Sequence, residues 1–159
     1  DIHFSFGAEE GKEKFLKAWD LKPEKVSPKS ERFWYEFEKI IKRGGGFYNP
    51  STFEAPYYFA QWPKDYDAFA YSAILGEGVN IYTKKDAKLE RMKTLTYMIL
   101  KRNTTEVIKH NNHNYVGVVL PDGQKAYISD FYLGSPIGYR AIFKKKDGKW
   151  ALTTFISGD

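Results

Sequence analysis

The chain contains no cysteine. Disulfides, cysteine-based zinc sites and a cysteine nucleophile are therefore excluded together. Three histidines are few for a metal centre, because protein zinc sites use three or four ligands. The sequence also lacks a phosphate-binding P-loop, a GxGxxG fingerprint and a GxSxG nucleophile elbow. We therefore predict no metal, no cofactor and no catalytic residues, and we expect that the protein is not an enzyme.

Long apolar runs are absent too. No segment approaches the roughly 18 apolar residues that a membrane-spanning helix requires, so we predict no membrane span. The sequence begins at Asp1, without a methionine or a signal-like segment. We interpret this start as the result of trimming, by a signal peptidase or in the choice of the expressed segment.

The charge of the chain is moderate. Its net value is +5, and the lysines are spread along the sequence. Lys144, Lys145 and Lys146 form a short run beside Asp147, which is typical of a solvated hairpin turn. This distribution favours ordinary solubility over binding of nucleic acid, and no nucleic-acid partner is predicted.

Aromatic residues make up 18% of the 159 residues, and hydrophobic residues 42%, which is enough for a packed core. The strongest helix signal follows Ser27, which can cap the helix, and Pro28, which suits its first position. Residues 44–46, three glycines, end it. A shorter helix is predicted over residues 8–19, and an irregular aromatic connector over residues 47–71. The long helix carries an apolar stripe that we expect to be buried: Phe33, Trp34, Phe37, Ile40 and Ile41.

Short strands are predicted from residue 71 onward. YSAIL and LTYMIL are apolar or alternating, and YVGVVL and KAYIS flank a PDGQ turn. Residues 110–113, HNNH, form another turn, and KKDGK joins YRAIFK to KWALTTFI. This spacing is typical of a small sandwich or barrel.

Two segments of this strand region carry a resemblance. GVNIY, followed by a charged stretch and LTYMILK, and then YVGVVLPDGQKAYISDFYL, resemble a bacterial SH3-like domain. Asn80 matches the family's asparagine, and residues 127–128 and 132–133 match its two characteristic pairs. Tyr82 departs from the pattern, since arginine is usual there, and so does Ala126, where glycine is usual.

The wider pattern is similar to secreted or envelope proteins of Gram-negative gut bacteria, in which a divergent SH3-like domain follows a helical segment. The resemblance implies an α+β fold, with a helical segment and aromatic connector over residues 1–69. Residues 70–159 would form an SH3-like small β-barrel with an added hairpin. It further implies an extracytoplasmic location, in the periplasm, the envelope or outside the cell, and a non-catalytic module that binds a peptide or a cell-wall component.

The resemblance also places a candidate ligand site. It makes residues 82–92 the long loop after the first barrel strand, next to the turn that carries Phe131 and Tyr132. A groove between them would be framed by aromatic rings and lysines. The predicted ligand-binding residues are Tyr82, Lys84, Lys85, Phe131 and Tyr132. The alternative is that the rings only close the end of the barrel.

Two other residue groups were weighed as catalytic or metal sites. His110 and His113 lie in an asparagine-rich turn, which is more typical of exposed loop residues than of a zinc pair. Glu54, Asp65 and Asp67 flank Trp62 as carboxylates do in glycosidases, but carboxylates so spaced usually cap backbone groups. A structural or protein-interaction subunit is therefore the second function considered, and a cell-wall hydrolase the third. The oligomeric state is not indicated.

Overall fold

The computed structural model describes residues 2–5, 10–22, 24–86 and 88–158, with only the backbone described at Thr104 and Thr105. A short 3₁₀ helix spans Asp130–Tyr132. The helices are α1 (Lys12–Ala18), α2 (Pro28–Lys42) and α3 (Tyr57–Ala60), and the strands are β1 (Gly46–Asn49), β2 (Thr52–Ala55), β3 (Tyr71–Ile74), β4 (Val79–Lys85), β5 (Lys88–Leu95), β6 (Ile99–His110), β7 (His113–Val119), β8 (Lys125–Ser129), β9 (Leu133–Gly134), β10 (Arg140–Lys146) and β11 (Lys149–Ile156).

The chain divides into two compact units. The first consists of Asp1–Trp62 together with Pro136–Asp159, and the second is Pro63–Ser135. Helices and antiparallel strands are both present, which confirms the predicted α+β class. The division differs from the predicted boundary between residues 69 and 70, because the last segment of the chain groups with the first.

The first unit contains a four-stranded antiparallel sheet in the order β1-β2-β10-β11. Strand β10 pairs with β2, with Ala141 opposite Ala55, and with β11 on its other side. We expected the C-terminal hairpin to be an addition to a barrel. It is instead half of this sheet. The prediction of an irregular connector is also wrong at its start, because β1 and β2 form a hairpin there.

Aromatic rings fill the core of the first unit around Phe155. This residue is only 1% exposed. Its ring centroid lies 5.0 Å from that of Phe33 and 5.6 Å from that of Trp19. Phe15 of helix α1 and Tyr139 also contact it, at 6.4 Å and 5.3 Å. A side chain of the last strand thus holds both N-terminal helices, and such aromatic pairs add stability beyond the area they bury.

Helix α2 begins as predicted. The backbone N–H of Ser30 donates to the Ser27 hydroxyl, and the Ser30 hydroxyl accepts from the Ser27 backbone N–H, with Pro28 in the first turn. The predicted apolar stripe is only partly buried, however. Phe33 and Ile40 are each 3% exposed, whereas Trp34 is 57% exposed. Trp34 and Ile41 directly follow the buried Phe33 and Ile40, and successive helix residues are about 100° apart, so these two side chains lie at the exposed edge of the stripe.

The stripe also has a different partner from the one expected. Phe37 contacts Phe143 of β10, at 6.2 Å between ring centroids, and Phe155 of β11, at 6.1 Å. The helix therefore packs on the C-terminal hairpin within its own unit. The expectation that this stripe lies against an SH3-like barrel is wrong.

The second unit contains a seven-stranded antiparallel sheet in the order β5-β4-β8-β7-β6-β3-β9. Strands β5 and β9 are its edges, and no closed barrel is found in the residues that the structure describes. The core lies on one face of this sheet. Its buried members are Ile74, Val79, Ile81, Leu100, Val118, Leu120, Ala126 and Ile128.

The long loop predicted over residues 82–92 is absent. Strand β4 continues to Lys85 and pairs with β5 in a hairpin, from Val79 opposite Leu95 to Lys85 opposite Lys88. LTYMIL is not one strand either, because the backbone turns at Tyr97, where φ is 39°.

The other turns were predicted correctly. Asn111 and Asn112 both have positive φ, 48° and 60°, between paired His110 and His113. Positive φ at both central positions is the geometry of the tightest hairpin turns, which favour asparagine and glycine. Asp147 and Gly148 adopt the same geometry between β10 and β11, with φ of 50° and 78°. Gly123 of the PDGQ turn has φ of 84°.

Adjacent residues of helix α2 provide a matched stability test. We expect Phe33→Ala to lower the free energy of unfolding by about 3–5 kcal/mol, because it opens a cavity beside Phe155. Trp34→Ala removes a larger but mostly exposed ring and should cost less than about 1 kcal/mol. Denaturant unfolding followed by circular dichroism measures both, and equal losses would contradict this description of the helix face.

The division into units predicts how fragments behave. A chain of residues 63–135 should fold alone, because every member of its buried core lies within it. A chain of residues 1–62 should not, since its core requires Ala141 and Phe155. Dispersion of amide signals in NMR spectra and cooperative thermal unfolding report on each fragment. A folded 1–62 fragment would overturn the assignment of the hairpin to this core.

Candidate functional site

The sheet of the second unit has two chemically different faces. In β4, Val79 and Ile81 are buried in the core while Asn80 and Tyr82 alternate with them. The same alternation turns Tyr115 of β7 and Ser129 of β8 away from the core. Because successive side chains of a strand point to opposite faces, these polar and aromatic residues share the outer face.

A cleft of about 370 Å³ lies on this outer face. Strand pairing forms its floor, since Tyr82 is opposite Tyr127 and Tyr115 is opposite Ser129. The 3₁₀ helix forms one wall and is held by the backbone N–H of Leu75, which donates to the carbonyl of Tyr132 at 2.9 Å. The lining residues are Asn80, Tyr82, His113, Tyr115, Ser129, Phe131 and Tyr132.

Three tyrosines of the cleft interact with one another. The rings of Tyr82 and Tyr115 are 5.2 Å apart in an edge-to-face arrangement. Burial, followed by the Tyr82 phenol and then that of Tyr132, raises the pKa of Tyr115. Like an ordinary tyrosine, this phenol is protonated at neutral pH, so it can donate as well as accept a hydrogen bond. Phe131 stands beside them, 65% exposed, with its ring 5.1 Å from that of Tyr132.

A bulge of β6 covers the neighbouring part of the outer face. The register of β6 against β7 shifts between Asn103 and Val107, which brings Glu106 over the sheet. The Tyr127 hydroxyl donates to the Glu106 carboxylate at 2.6 Å. Gly117 lies beneath the bulge, where a Cβ would be 3.2 Å from the Asn103 carbonyl oxygen. This close approach fixes the strand floor next to the cleft.

The structure brings together three of the five predicted ligand residues. Tyr82, Phe131 and Tyr132 all line the cleft. Lys84 and Lys85 do not, because β4 continues through them as an exposed strand and no loop turns them back. The prediction of lysines at the mouth of a groove is therefore not supported by the position of these two residues.

Four lining residues were not predicted as ligand contacts. The sequence identifies Asn80 only as a match to the family's asparagine and His113 as a turn residue, and it gives Tyr115 and Ser129 no role. A signal for Tyr115 was present, because it alternates with Val116, Val118 and Leu120 and so must lie opposite the core. Its position beside Tyr82 depends on the strand order, which periodicity alone does not specify.

The structure shows the surroundings of three of the residues that the sequence suggested for catalysis or metal binding: His110, His113 and Asp67. His110 and His113 face each other across their turn, but among the described residues no group of three His, Asp or Glu side chains is placed to hold a metal ion. The Asp67 carboxylate accepts from the backbone N–H of Phe69 at 2.9 Å, which is the capping role expected of it. No carboxylate is among the residues that line the cleft.

None of the helices in the described ranges is both long and apolar enough to cross a membrane. Comparison of the chain with protein-family models, with curated proteins and with solved structures gives no significant match. The geometry of the cleft is therefore the observation from which function is inferred.

The bond between Tyr127 and Glu106 predicts a pH dependence. The hydrogen bond to Glu106, with burial, raises the pKa of Tyr127 to about 12, from an ordinary value near 10. Because the folded-state pKa is the higher one, this bond adds its full stability below about pH 10, and the contribution is lost as the pH rises towards about 12. Absorbance of the phenolate should show one tyrosine that titrates near pH 12 in the folded protein; the pKa values of Tyr58 and Tyr115 are also raised, chiefly by burial.

Two variants identify that tyrosine. Tyr127→Phe should remove the late titration, and Glu106→Gln should move it to lower pH, because the amide keeps an acceptor but loses the charge. A phenol that still titrates near pH 12 in Tyr127→Phe would contradict the assignment.

Proposed function

We propose that this protein is a non-catalytic binding module whose cleft accepts an extended peptide or a peptide-bearing cell-wall component. The observation that supports this most directly is the chemistry of the cleft. Exposed aromatic rings, hydroxyls, the Asn80 amide and the His113 imidazole converge there without a lining carboxylate. Such a site can hold a ligand but lacks the pair of carboxylates that glycoside hydrolysis uses.

The shape of the cleft favours an extended chain. Ligand pockets of small molecules usually have volumes of about 300–1,000 Å³, so this cleft is at the lower limit and can take only a few residues at once. Rings on the 3₁₀ helix and on β4 can pack on side chains of an extended ligand. The Asn80 amide and the hydroxyls of Ser129 and Tyr115 can bond to its backbone.

The same proposal includes the domain family of the second unit and the location of the protein. The second unit is a divergent SH3-like domain, and the protein acts outside the cytoplasm, in the periplasm, the envelope or the medium. Support comes from the GVNIY and YISDFYL segments, which carry the resemblance and supply Tyr82, Phe131 and Tyr132 to the cleft. Tyrosine in place of the usual arginine at position 82 favours stacking on the ligand over recognition of a carboxylate.

A second function, that of a protein-interaction subunit, is favoured by one observation in the first unit. Trp34 is 57% and Ile41 is 42% exposed on helix α2, and both border a groove of about 470 Å³. Large apolar side chains that are contiguous and exposed often mark interaction sites. No observation favours the hydrolase.

Binding to purified peptidoglycan and to its soluble peptide-bearing fragments tests the first proposal. The double variant Tyr82→Ala with Tyr132→Ala should weaken fragment binding by at least about 30-fold, since aromatic residues at the centre of a site carry most of the affinity. Calorimetry gives the dissociation constants, and thermal unfolding confirms that the variant is folded.

Tyr97→Ala is the matched control. Tyr97 is 61% exposed in the same unit and does not line the cleft, so its removal should leave binding unchanged. Unchanged binding by a folded double variant would place the site elsewhere. If the double variant unfolds, Phe131→Ala provides the test, because that ring is the most exposed of the cleft aromatics and its loss leaves the sheet intact.

A further inference from the structure

One end of the four-stranded sheet in the first unit combines exposed aromatic rings with lysines. Lys144 of β10 is opposite Thr52 of β2, and the backbone N–H of Lys145 donates to the Ser51 carbonyl at 2.8 Å. The turn between β1 and β2 therefore lies beside the tip of the β10–β11 hairpin. We call this region the sheet end; it consists of residues 47–51 and 144–150.

The aromatic side chains of the sheet end are poorly covered. Tyr48 is 77% exposed, Phe47 is 68% exposed and Trp150 is 44% exposed. The rings of Phe47 and Trp150 lie 6.0 Å apart, although they belong to the two outer strands of the sheet. Three large rings gathered at one turn region exceed the scattered apolar exposure of an ordinary surface.

The charge at the sheet end is strongly positive. Asp147 is the one acidic residue of residues 47–51 and 144–150. The same residues include four lysines, all of them exposed: Lys144, Lys145, Lys146 and Lys149. Lys145 lies directly opposite Trp150 in the hairpin, so cationic and aromatic groups are cross-strand neighbours.

An apolar cavity of about 440 Å³ opens behind these rings. No polar side chain is among the residues that line it: Phe37, Ile41, Phe47, Phe53, Phe143 and Trp150. The sheet end thus presents a cationic rim, amphipathic rings and an apolar interior in succession. Lysines and exposed aromatic rings side by side are typical of surfaces that bind at the headgroup boundary of a lipid bilayer.

We propose that the sheet end docks on the surface of an anionic phospholipid bilayer. The lysines contact the headgroup phosphates, and Phe47, Tyr48 and Trp150 enter the headgroup boundary. Charge complementarity decides for this occupant, because several lysines close to rings are attracted to an anionic surface while the rings gain from leaving water. This inference is independent of the cleft in the second unit and goes beyond the function proposed for it.

Sedimentation with lipid vesicles tests the proposal on the full chain. Vesicles of phosphatidylcholine with phosphatidylglycerol, in about a 2:1 ratio, should bind the protein, and vesicles of phosphatidylcholine alone should not. Raising the salt from about 0.1 M to about 1 M should release most of the bound protein, because the attraction is screened. Equal binding to both vesicles, or no binding to either, would overturn the proposal.

Two sets of variants locate the surface. Lys145→Gln with Lys149→Gln should weaken binding roughly 20-fold, and Tyr48→Ser with Trp150→Ser at least about tenfold. The matched controls are Lys12→Gln with Lys14→Gln and, for the rings, Tyr35→Ser, which is 62% exposed on α2. Lys12 and Lys14 precede Phe15 in helix α1, and Phe15 packs on Phe155 at the opposite end of the hairpin, so these controls should bind normally.

Loss of binding in the controls, or its retention in the folded variants of the sheet end, would contradict the proposed location. A parallel measurement with soluble polyglutamate separates the membrane from an acidic protein. Polyglutamate binding that depends on the four lysines, without vesicle binding, would assign the sheet end to an acidic protein partner and overturn the membrane proposal. If the Trp150 variant unfolds, Tyr48→Ser alone tests the contribution of the rings, because Tyr48 is the most exposed of the three.

Discussion

The packing of Phe155 between the N-terminal helices is the interaction on which the first unit depends. Strand β11 carries this ring, and β10 joins β11 to the β1–β2 hairpin through the pairing of Ala141 with Ala55. Neither half of the unit has a core without the other, because Phe15 and Phe33 come from one end of the chain and Phe155 from the other. The first unit therefore requires both ends of the chain, and residues 63–135 are an insertion with a core of their own. This organisation explains why a second sheet, with its cleft, can be built without apolar residues from the rest of the chain.

The parts of the fold that were predicted correctly depend on neighbouring residues. Ser27 and Pro28 fix the start of α2, and the Asn111–Asn112 and Asp147–Gly148 pairs fix two turns, because each conformation is set by the residues themselves. The β2–β10 pairing was missed since its partners are far apart in sequence and their pattern does not specify a neighbour. The charged stretch after Tyr82 was predicted as a loop for a different reason. The resemblance placed a loop there, and β5 gave no contrary strand signal, because an edge strand needs little apolar surface and often carries lysines.

The candidate site was predicted in part, and the limit has a physical cause. Tyr82, Phe131 and Tyr132 were found because they lie in segments that carry the resemblance. Tyr115 reaches the cleft only through its pairing with Ser129, which is a property of the sheet. Lys84 and Lys85 were placed in the site by a loop that does not form. Aromatic positions were thus predicted better than charged ones, since rings are constrained by packing while exposed lysines depend on the path of the backbone.

The cleft of the second unit and the sheet end of the first unit differ in the kind of interaction they can make. The cleft is lined by aromatic rings, hydroxyls, an amide and one imidazole, without a lysine or a carboxylate. Its contacts are therefore short-range and directional, and they select a ligand by shape and by hydrogen-bond donors and acceptors. The sheet end carries four lysines against one aspartate, and its attraction extends over about a Debye length without regard to detailed shape. Binding in a cleft without lysines or carboxylates depends only weakly on salt, whereas binding to a cationic surface depends on it strongly. A change in ionic strength should therefore change binding at the sheet end much more than binding in the cleft. The chain can then keep its selectivity for a ligand under conditions that change its attraction to an anionic surface.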